Sequence, residues 1–575
     1  MPIETSKKSE RDVIIDFEGR EIRCTPGVSL AAALTDAGEL ELRQADDGEM
    51  RGLFCGMGVC QECRLEVDGQ SGVRACMTVA SRSLKVLRQV RSPKAKVTTD
   101  TRVAGGEPKV EEPDVLVIGA GPAGLTAAAV AAESGADVVV LDERAKAGGQ
   151  YHKQPYSRTQ VPESLAGDRQ FADGKLLIDR AQGSGATLIQ GAEVWGAFAP
   201  KEFMVFDGTG STLYRPKCAI VATGAFERGL PLPGWTLPGV MTTGAAQTLL
   251  RSYGVLAGKR ILVAGNGPLN LQVALELKRA GADLVAVTEL ARKPGLAALL
   301  PGLRMASIAP QLTMDGQRIL AKLRHLKVPL LFQHGLVSVE ATSHGLKASV
   351  GPATHDGVVA DKSFDVDVVC MGYGFQPNNE ILRCLGCKHS YDNSRGYLVT
   401  DRGPACETSV EGIYAVGDCC GLGGAPAARE EAVIAAADAV RSLGLQRNAR
   451  LERAEKFAIR DLRQHRRFQV ALWQLFAAPH YQTELAAPET LICRCEEISL
   501  QQLETALADG EMSIGAIKRR TRLGMGPCQG RYCAPVVAAM IAKRQGVPAG
   551  EFSLFAPRVP IKPIRIADIV GGTSE

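Results

Sequence analysis

The sequence predicts an α/β protein built around two Rossmann-like dinucleotide-binding segments, with a smaller cysteine-containing segment at each end. Three observations predict this fold. Two glycine-rich turns, near residues 119 and 265, each follow an apolar strand pattern and open a helical one. Four cysteines lie close together before the first turn, and four more lie after the second. At 575 residues, the chain is too long for a single hydrophobic core.

Composition and charge exclude several classes of function. The 67 basic and 63 acidic residues nearly balance, with a net charge of +4, so neither nucleic acid nor an anionic membrane is an expected partner. No apolar run approaches the ~18 residues that a membrane span requires. The N-terminus lacks the apolar core of a secretory signal, so the 16 cysteines are expected to be ligands or free thiols in the cytoplasm.

The N-terminal segment, residues 1–92, begins with a strand pattern. Two short strands, Val13–Phe17 and Glu21–Cys24, are predicted to join at Gly19, and a helix capped by Ser29 follows. Residues 93–112 are polar and aperiodic, which predicts a linker.

This segment also carries the first set of cysteines, spaced C-x4-C-x2-C-x12-C: Cys55, Cys60, Cys63 and Cys76. The first three match the loop of a plant-type [2Fe–2S] cluster. Gly56 and Gly58 let such a loop wrap closely enough for its N–H groups to reach the inorganic sulfides. Zinc also takes four cysteines, but zinc motifs usually offer two C-x2-C pairs. The segment resembles the β-grasp ferredoxin domain.

The first glycine turn lies in a complete strand–turn–helix–strand unit, DVLVIGAGPAGLTAAAVAAESGADVVVLDE. Its GxGxxG glycines are Gly119, Gly121 and Gly124, with Pro122 and Ala123 between the last two. They predict a tight turn, a close approach of the backbone to a pyrophosphate, and close packing of helix on strand. Asp142 is the predicted acid for a ribose hydroxyl, with its neighbour Glu143 as the alternative.

Three later segments favour FAD in this first site. Gly149 and Gln150 follow the unit in a GGQ sequence, and a strand runs into Ala222, Thr223 and Gly224. Gly417 and Asp418 are predicted to end a strand and open a helix. These segments resemble the signatures of two-dinucleotide-binding flavoproteins, the glutathione and thioredoxin reductase class, and the resemblance implies that Asp418 holds ribityl or pyrophosphate oxygens.

The second unit, residues 259–289, repeats this architecture with an incomplete fingerprint. Gly265 and Gly267 are present, but Asn270 replaces the third glycine, which predicts looser helix packing or a shifted dinucleotide. Glu289 is the candidate ribose acid. The segment therefore binds NAD(P)H as a redox partner, binds a nucleotide structurally, or binds nothing. Arg292 and Lys293 leave recognition of a 2′-phosphate open.

The cysteine positions argue against a thiol relay like that of disulfide reductases. No cysteine lies between Cys76 and Cys218 or between Cys218 and Cys370, the two places where a redox-active pair is expected.

The C-terminal segment carries the second set of cysteines, in the patterns C-x-C and C-x4-C: Cys493, Cys495, Cys528 and Cys533. Two amphipathic helices are predicted between the pairs, which would bring four thiolates together. The spacing resembles the bacterioferritin-associated-ferredoxin type of [2Fe–2S] domain, and zinc is the alternative. Nearby arginines either offset the charge of a cluster or form a solvated face: Arg494, Arg519, Arg520, Arg522 and Arg531.

The order of these parts, together with the motifs GAGPAGL, ATGAFERGLPLPGWTLPGV, GYGFQPN, GDCCGLGGA and MGPCQGRYC, resembles one protein family. It is the α (large flavin) subunit of multi-subunit amine dehydrogenases, which includes opine oxidases, D-hydroxyproline and L-proline dehydrogenases and hydrogen cyanide synthase. The α subunit of heterotetrameric sarcosine oxidase is a cousin. In this chain the N-terminal ferredoxin would be fused to the large flavin subunit.

The resemblance implies a function. A glycine-oxidase-like, FAD-containing β subunit would oxidise the amine, and this chain would pass electrons through FAD and two [2Fe–2S] clusters to an external acceptor. The alternative is a self-sufficient NAD(P)H:acceptor oxidoreductase. No residue of this chain is singled out as catalytic, and the tail APRVPIKPIRIADI is expected to be an extended docking segment on a partner surface.

The predicted domain boundaries follow from these motifs. They are 1–92 for the ferredoxin domain, 93–112 for the linker, 113–250 and 365–445 for the FAD-binding domain, 251–364 for the second nucleotide domain, 446–545 for the helical linker and C-terminal cluster domain, and 546–575 for the docking tail.

Overall fold

The computed structural model describes residues 12–90, 108–156, 161–445, 449–508, 510 and 513–570. Among these residues, no helix combines the length and the apolar composition needed to cross a membrane.

The N-terminal region is a five-stranded mixed sheet with one helix. In spatial order, its strands are Arg20–Cys24, Val13–Phe17, Leu84–Arg88, Arg64–Val67 and Gln70–Arg74. The helix Leu30–Asp36 packs on the sheet, and the Ser29 hydroxyl accepts the Ala32 N–H at its start, as predicted. A two-stranded ribbon, Arg43–Gln44 with Met50–Arg51, leads into the first cysteine loop.

The first nucleotide region is a parallel sheet with helices on both faces. Its strands, in spatial order, are Thr187–Gln190, Val138–Asp142, Val115–Ile118, Cys218–Val221 and Ile413–Ala415. The covering helices are Pro122–Glu133, Arg169–Gly183 and Gly424–Ser442. Beside them lies a four-stranded sheet of Glu193–Phe198, Glu202–Phe206, Ser211–Tyr214 and Lys109–Glu111.

The last strand of that sheet corrects the predicted linker. Lys109–Glu111 pairs in parallel with Thr212–Tyr214, because the backbone of a polar segment pairs as readily as that of an apolar one when a sheet edge is exposed. Residues 93–107 of the predicted linker lie outside the described residues.

The second nucleotide region repeats the parallel sheet. Its strands, in spatial order, are Val240–Thr242, Val368–Gly372, Arg260–Gly265, Asp283–Glu289 and Leu330–Phe332. Its helices are Thr243–Tyr253, Pro268–Arg279, Leu299–Ile308 and Pro310–His325. A three-stranded sheet, His334–Thr342, Gly345–Pro352 and Lys362–Val366, covers one side.

Short elements connect the two nucleotide regions. They are the ribbon of Ala225–Glu227 with Phe375–Pro377, the helix Glu380–Cys384 and the ribbon of His389–Asp392 with Tyr397–Thr400. Single 3₁₀ turns occur at Glu163–Leu165, Leu296–Ala298, Gly417–Cys420 and Glu551–Ser553.

The C-terminal region is helical. A long helix, Ala449–Leu475, crosses both nucleotide regions, and a ribbon of Leu491–Cys493 with Ile498–Ser499 follows. The remaining helices are Leu500–Ala508, Ile514–Thr521, Ala534–Gln545 and Ile566–Val570. The two helices predicted between the cysteine pairs are the first two of these.

The described part of the tail, up to residue 570, packs on this same chain, and its role as a docking segment stays a prediction. Ile561 is buried and its N–H donates to the Trp195 carbonyl at 2.8 Å. Lys562 forms an ion pair with Glu143 of the first nucleotide region. The alternating apolar and proline residues therefore fit a groove of this same chain.

Candidate cofactor sites

Two of the three glycines of the first turn, Gly119 and Gly124, have no room for a side chain. Gly119 adopts a φ of +108°, and a Cβ on it would come within 2.4 Å of the Ala222 carbonyl oxygen. A Cβ on Gly124 would come within 1.7 Å of the Gly119 oxygen. Beside Gly121 there is open space, because the nearest atom to its Cβ position is the Gly149 Cα at 3.8 Å. The helix that begins at Pro122 has no side-chain cap, so its first N–H groups suit a pyrophosphate.

The two candidate ribose acids differ in their partners. Asp142 accepts the Ala120 N–H at 2.6 Å and the Arg144 N–H at 2.8 Å, so its carboxylate holds the glycine turn, and burial raises its pKa. Glu143 also lines the cavity but pairs with Lys562 of the tail. Burial raises the pKa of Glu143, and Lys562 and then Arg74 more than offset this, so the net pKa is lowered.

Asp418 lies in a turn where the sequence predicted the start of a helix, and its assignment to ribityl or pyrophosphate oxygens stays a prediction. It lies in the 3₁₀ turn Gly417–Cys420, and the next helix begins only at Gly424. Its carboxylate accepts the N–H groups of Gly423 and Gly424, both at 2.9 Å, and burial raises its pKa. Asp418 thus orders the turn before the helix, because its side chain, and not helix backbone, bridges the six positions from Asp418 to Gly424. It also lines the cavity.

One cavity of about 1490 Å³ joins these predicted residues. Besides the glycine turn and both acids, its lining includes Gly149, Gln150, Ala222, Thr223, Gly224, Gly417 and Asp418. Met57, from the first cysteine loop, also reaches it. The cavity continues past Pro268 to the helices Leu299–Ile308 and Pro310–His325 of the second region.

The second glycine turn packs tightly despite Asn270, which corrects the expectation of looser packing. Asn270 is 2% exposed, its amide donates to the Gly372 carbonyl at 2.8 Å, and its oxygen accepts the Thr243 hydroxyl at 2.9 Å. A Cβ on Gly372 would lie 1.9 Å from that oxygen. A glycine on the facing strand therefore makes the room that the third glycine of the fingerprint usually makes.

The end of the long helix covers the second turn. The Trp473 ring lies 3.6 Å from where a Cβ on Gly267 would stand, and the Asn266 amide donates to the Phe476 carbonyl at 3.1 Å. The predicted ribose acid Glu289 is buried and accepts the N–H groups of Gly267 and Ala291, both at 2.9 Å. Burial raises its pKa to about 7. Groups of the chain itself thus lie against Asn266 and Gly267 of the second turn.

The N-terminal cysteines lie in two pairs inside the molecule. The Cys60 backbone N–H donates to the Cys55 sulfur at 3.4 Å, and the Cys63 and Cys76 thiols interact with each other. Burial raises the pKa of Cys55, but donation to its sulfur by the Cys60 thiol and the neighbouring backbone N–H groups outweighs it, so the pKa is lowered. All four thiols are buried and free. Two pairs under a shell of N–H groups suit two irons with two thiolates each.

The C-terminal cysteines form a connected row. The Cys495 sulfur lies 3.9 Å from that of Cys493 and 3.6 Å from that of Cys528. The Cys533 thiol interacts with that of Cys493 without a covalent bond. Hydrogen bonds from the Cys495 and Cys533 thiols lower the pKa of Cys493. Gly526 is required here, because a Cβ would stand 2.5 Å from the Cys495 sulfur. Across the described part of the chain, no three or more His, Cys, Asp and Glu side chains are arranged to hold a single metal ion.

The two cysteine sets meet in one apolar core. Phe54, Cys55 and Cys60 pack there with Trp235, Cys528 and Tyr532. The Phe54 and Tyr532 rings meet edge-on, with centroids 5.5 Å apart. Of the arginines expected near the C-terminal set, Arg494 and Arg531 are buried at this junction, whereas Arg519, Arg520 and Arg522 are exposed.

Comparison with known proteins assigns the chain. An opine oxidase subunit from Agrobacterium tumefaciens is 32% identical over 472 residues, which cover 79% of this chain and 91% of that protein. The chain belongs to this opine oxidase family. Hydrogen cyanide synthase subunit HcnB of Pseudomonas protegens is 30% identical over 469 residues, or 78% of this chain and 96% of that protein. The family predicted from the motifs is confirmed.

Three domain families match this opine oxidase homologue. Residues 113–438, more than half of the chain, match the pyridine nucleotide-disulphide oxidoreductase family. Residues 10–91 match a 2Fe-2S iron-sulfur cluster binding domain, and residues 487–573 match the sarcosine oxidase A3 domain. The opine oxidase homologue is thus a flavin-dependent oxidoreductase with FAD and a [2Fe–2S] cluster as cofactors, and the residues around both predicted sites fit these groups.

The fold of the whole homologue also has a solved counterpart. The L-proline dehydrogenase of P. horikoshii has a TM-score of 0.69 and is 19% identical, and the match covers 98% of each chain. The predicted fold class is therefore confirmed from end to end.

Several residues at these sites carry no sequence signal. Lys562 is separated from Glu143 by 419 positions, and Met57 is an ordinary loop residue in the sequence. Trp473, which covers the second turn, lies in an ordinary polar helix pattern. Phe54 and Tyr532 do have a sequence signal for a place near a cluster, because each directly precedes a cysteine of a predicted set.

Proposed function

We propose that this chain is the electron-transferring α subunit of an amine or imino-acid dehydrogenase of the opine, D-hydroxyproline, proline or glycine type. The observation that carries the proposal is the continuous contact between three predicted redox sites. Met57 of the N-terminal loop lines the flavin cavity, and Phe54 of the same loop meets Tyr532 of the C-terminal set. The names of the relatives, opine oxidase and hydrogen cyanide synthase, support an amine donor.

The two kinds of cofactor have complementary chemistry. Bound FAD exchanges electrons in pairs or singly, whereas a [2Fe–2S] cluster takes one, so the combination converts a two-electron oxidation into single-electron steps. A second cluster at Cys493, Cys495, Cys528 and Cys533 is part of the proposal.

The chain's own residues hold the three sites in sequence. The Arg144 guanidinium, beside the predicted ribose acids, donates to the Gly56 carbonyl at 3.3 Å and so fixes the N-terminal loop against the cavity wall. Because Cys55, Cys60, Cys63 and Cys76 are all buried, water is excluded from that loop except near Met57, which is partly exposed. Electrons that leave the cavity through this loop therefore pass inward to the shared core.

The cavity residues that directly follow the GGQ sequence contact each other and the backbone of this chain. His152 is buried, its Nδ1 is hydrogen-bonded to the Gln170 carbonyl at 3.0 Å, and burial lowers its pKa. Tyr151 is 41% exposed and stacks edge-on against His152. Following the family resemblance, we assign amine oxidation to a glycine-oxidase-like, FAD-containing β subunit. The free state of the 16 cysteines supports a cytoplasmic complex.

The alternative, a self-sufficient NAD(P)H:acceptor oxidoreductase, is not favoured. Trp473 and the Phe476 carbonyl lie on the second glycine turn, and the acid Glu289 is engaged by backbone N–H groups of its own region. A nicotinamide dinucleotide would have to share this turn with Trp473 and the Phe476 carbonyl.

Co-expression with a glycine-oxidase-like flavoprotein tests the proposal. We expect a stable complex that contains flavin in both polypeptides and about four irons per α chain, and that oxidises one of the named amines with an artificial acceptor. The isolated α chain should hold flavin and iron but oxidise none of them. Rapid bleaching of its flavin by NADH, or zinc in place of iron, would contradict the proposal.

A further inference from the structure

The two cysteine sets differ in their access to solvent. Every thiol of the N-terminal set is buried, and Met57 is the one partly exposed residue of its loop, facing the flavin cavity. In the C-terminal set, Cys495 is partly exposed, whereas Cys493, Cys528 and Cys533 are buried. The surface nearest to a cluster in the C-terminal set is therefore the surface around Cys495.

This surface has an apolar centre. Gly526 packs on the Cys495 sulfur and leaves no side chain over it, since a Cβ there would stand 2.5 Å from that atom. The next residue outward, Met525, is 41% exposed. Its N–H donates to the Arg522 carbonyl, so the loop and the end of the helix Ile514–Thr521 form one continuous rim.

The rim is basic. Residues 513–531 contain five basic residues and no acidic one: Lys518, Arg519, Arg520, Arg522 and Arg531. Arg519, Arg520 and Arg522 are exposed. Arg531 is buried, and Lys518 is partly buried over the Phe555 ring. Of the nearby acids among the described residues, Glu496 is paired with Arg522 at 2.8 Å, and Glu497 accepts the backbone N–H groups of Asp46 and Asp47. Arg520 also has an interaction partner, so exposed positive charge, and not unpaired charge, defines the rim.

We propose that this electron-exit surface, formed by Cys495, Met525, Gly526 and the basic end of the helix Ile514–Thr521, is the docking site of an acidic one-electron carrier protein. The inference rests on the proposed function, which makes the C-terminal set the last redox site of the chain. An acidic rim on the carrier meets the arginines, and its apolar centre meets Met525. One electron passes to the oxidised carrier at each encounter, while no bond forms and no proton moves.

Charge complementarity of this kind acts mainly on the association rate. Exposed arginines attract an acidic partner over about one Debye length. Because salt shortens this length, the rate of encounter depends strongly on the salt concentration. A basic carrier would be repelled by the same rim. The sign of the carrier's charge is therefore the property that the structure selects.

Two c-type cytochromes of similar potential, one acidic and one basic, serve as probes. The holoprotein is reduced with dithionite, desalted and mixed with each oxidised cytochrome in a stopped-flow instrument at several salt concentrations. Calorimetry with the oxidised partners gives the Kd independently of turnover. We expect the acidic cytochrome to bind more tightly and to be reduced about tenfold faster or more at low salt, with the advantage lost as salt increases.

Charge variants locate the surface. Arg519→Glu/Arg520→Glu should remove the preference for the acidic cytochrome, and the milder Arg519→Gln/Arg520→Gln should reduce it if the reversal prevents folding. Arg453→Glu/Lys456→Glu, two exposed positions of equal charge on the long helix, is the matched control and should change neither rate.

The outcomes separate this inference from the proposed function. Equal rates and affinities for both cytochromes, or a preference that survives both Arg519/Arg520 variants, would overturn the docking surface. The proposed function fails separately if the iron content falls below about four per chain or if dithionite leaves the iron signals unchanged by electron paramagnetic resonance.

Discussion

The guanidinium of Arg494 lies 4.0 Å from the centre of the Phe54 ring, and this contact joins the two cysteine sets. Arg494 stands between Cys493 and Cys495, and Phe54 directly precedes Cys55. The same guanidinium donates to the Trp235 carbonyl at 2.6 Å. A single buried cation thus fixes the distance between two predicted clusters that belong to opposite ends of the chain.

Replacing Arg494 should weaken this junction. The Arg494→Met variant loses the stacking on Phe54, the hydrogen bond to Trp235 and a weak pairing with Glu62 at 3.7 Å. We expect the free energy of unfolding to fall by about 2–4 kcal/mol, measured by denaturant unfolding of the holoprotein. Arg494→Lys keeps the charge but not the planar stacking and should recover less than half of the loss. Full recovery in Arg494→Lys would show that charge alone matters.

Iron content should respond to a single methyl group at Gly526. In Gly526→Ala, the new Cβ would stand 2.5 Å from the Cys495 sulfur, so that thiolate cannot keep its place in the row. We expect iron to fall from about four to about two per chain, with the N-terminal cluster retained. Gly515→Ala, whose nearest atom is a flexible guanidinium nitrogen of Arg519 at 3.6 Å, is the matched control and should keep all of its iron.

The second glycine turn should become accessible when its cover is removed. We expect ADP-ribose to leave the native protein unperturbed in a thermal shift assay, because Trp473 lies on Gly267. Trp473→Gly should lose some stability and gain a measurable shift with ADP-ribose. Phe457→Ala, at an exposed position of the same long helix, should show no such gain. Equal shifts in the native protein and in Trp473→Gly would mean that the helix does not close the site.

The ion pair between Lys562 and Glu143 should make stability depend on pH. Because the folded pKa of Glu143 is lowered, its contribution is fully present above the unfolded pKa of about 4.3 and is lost as the pH falls through the folded value. The Lys562→Met variant should therefore be less stable than the native protein by about 1–2 kcal/mol near pH 7. The difference should stay constant down to about pH 4.3 and shrink as the pH falls below that value.

Thermal melts of both proteins between about pH 2.5 and pH 8 measure this effect, because the range must extend below the unfolded pKa of Glu143. Lys175→Met, which breaks the exposed pair with Asp179, is the control and should cost no more than about 0.5 kcal/mol at any pH. A deficit in Lys562→Met that stays constant across the range would place the loss in packing of the tail instead of in the charge of Glu143.

The sequence predicted what local patterns determine. Gly119 and Gly124 specify a turn with no room for their side chains, and the predicted strands and helix around them match the structure because their signals lie within 30 residues. The spacing of Cys55, Cys60 and Cys63 likewise reflects a single loop. The assignment of these residues to FAD and iron stays a prediction.

The contacts that the sequence did not predict are long-range. Asn270 suggested loose packing because its compensation, Gly372, lies 102 positions away on another strand. Lys562 and Trp473 reach the nucleotide regions only through the fold of the C-terminal domain. Neither residue type nor spacing encodes such contacts, because they depend on where whole domains settle against each other.

The shared apolar core around Phe54, Cys60, Cys528 and Tyr532 has a consequence for how the protein is made in the cell. Once the domains have closed, the N-terminal loop cannot be reached by a scaffold protein that delivers iron and sulfide. We therefore expect the loop to receive its iron while the newly synthesised chain is still open, before the C-terminal domain packs over it.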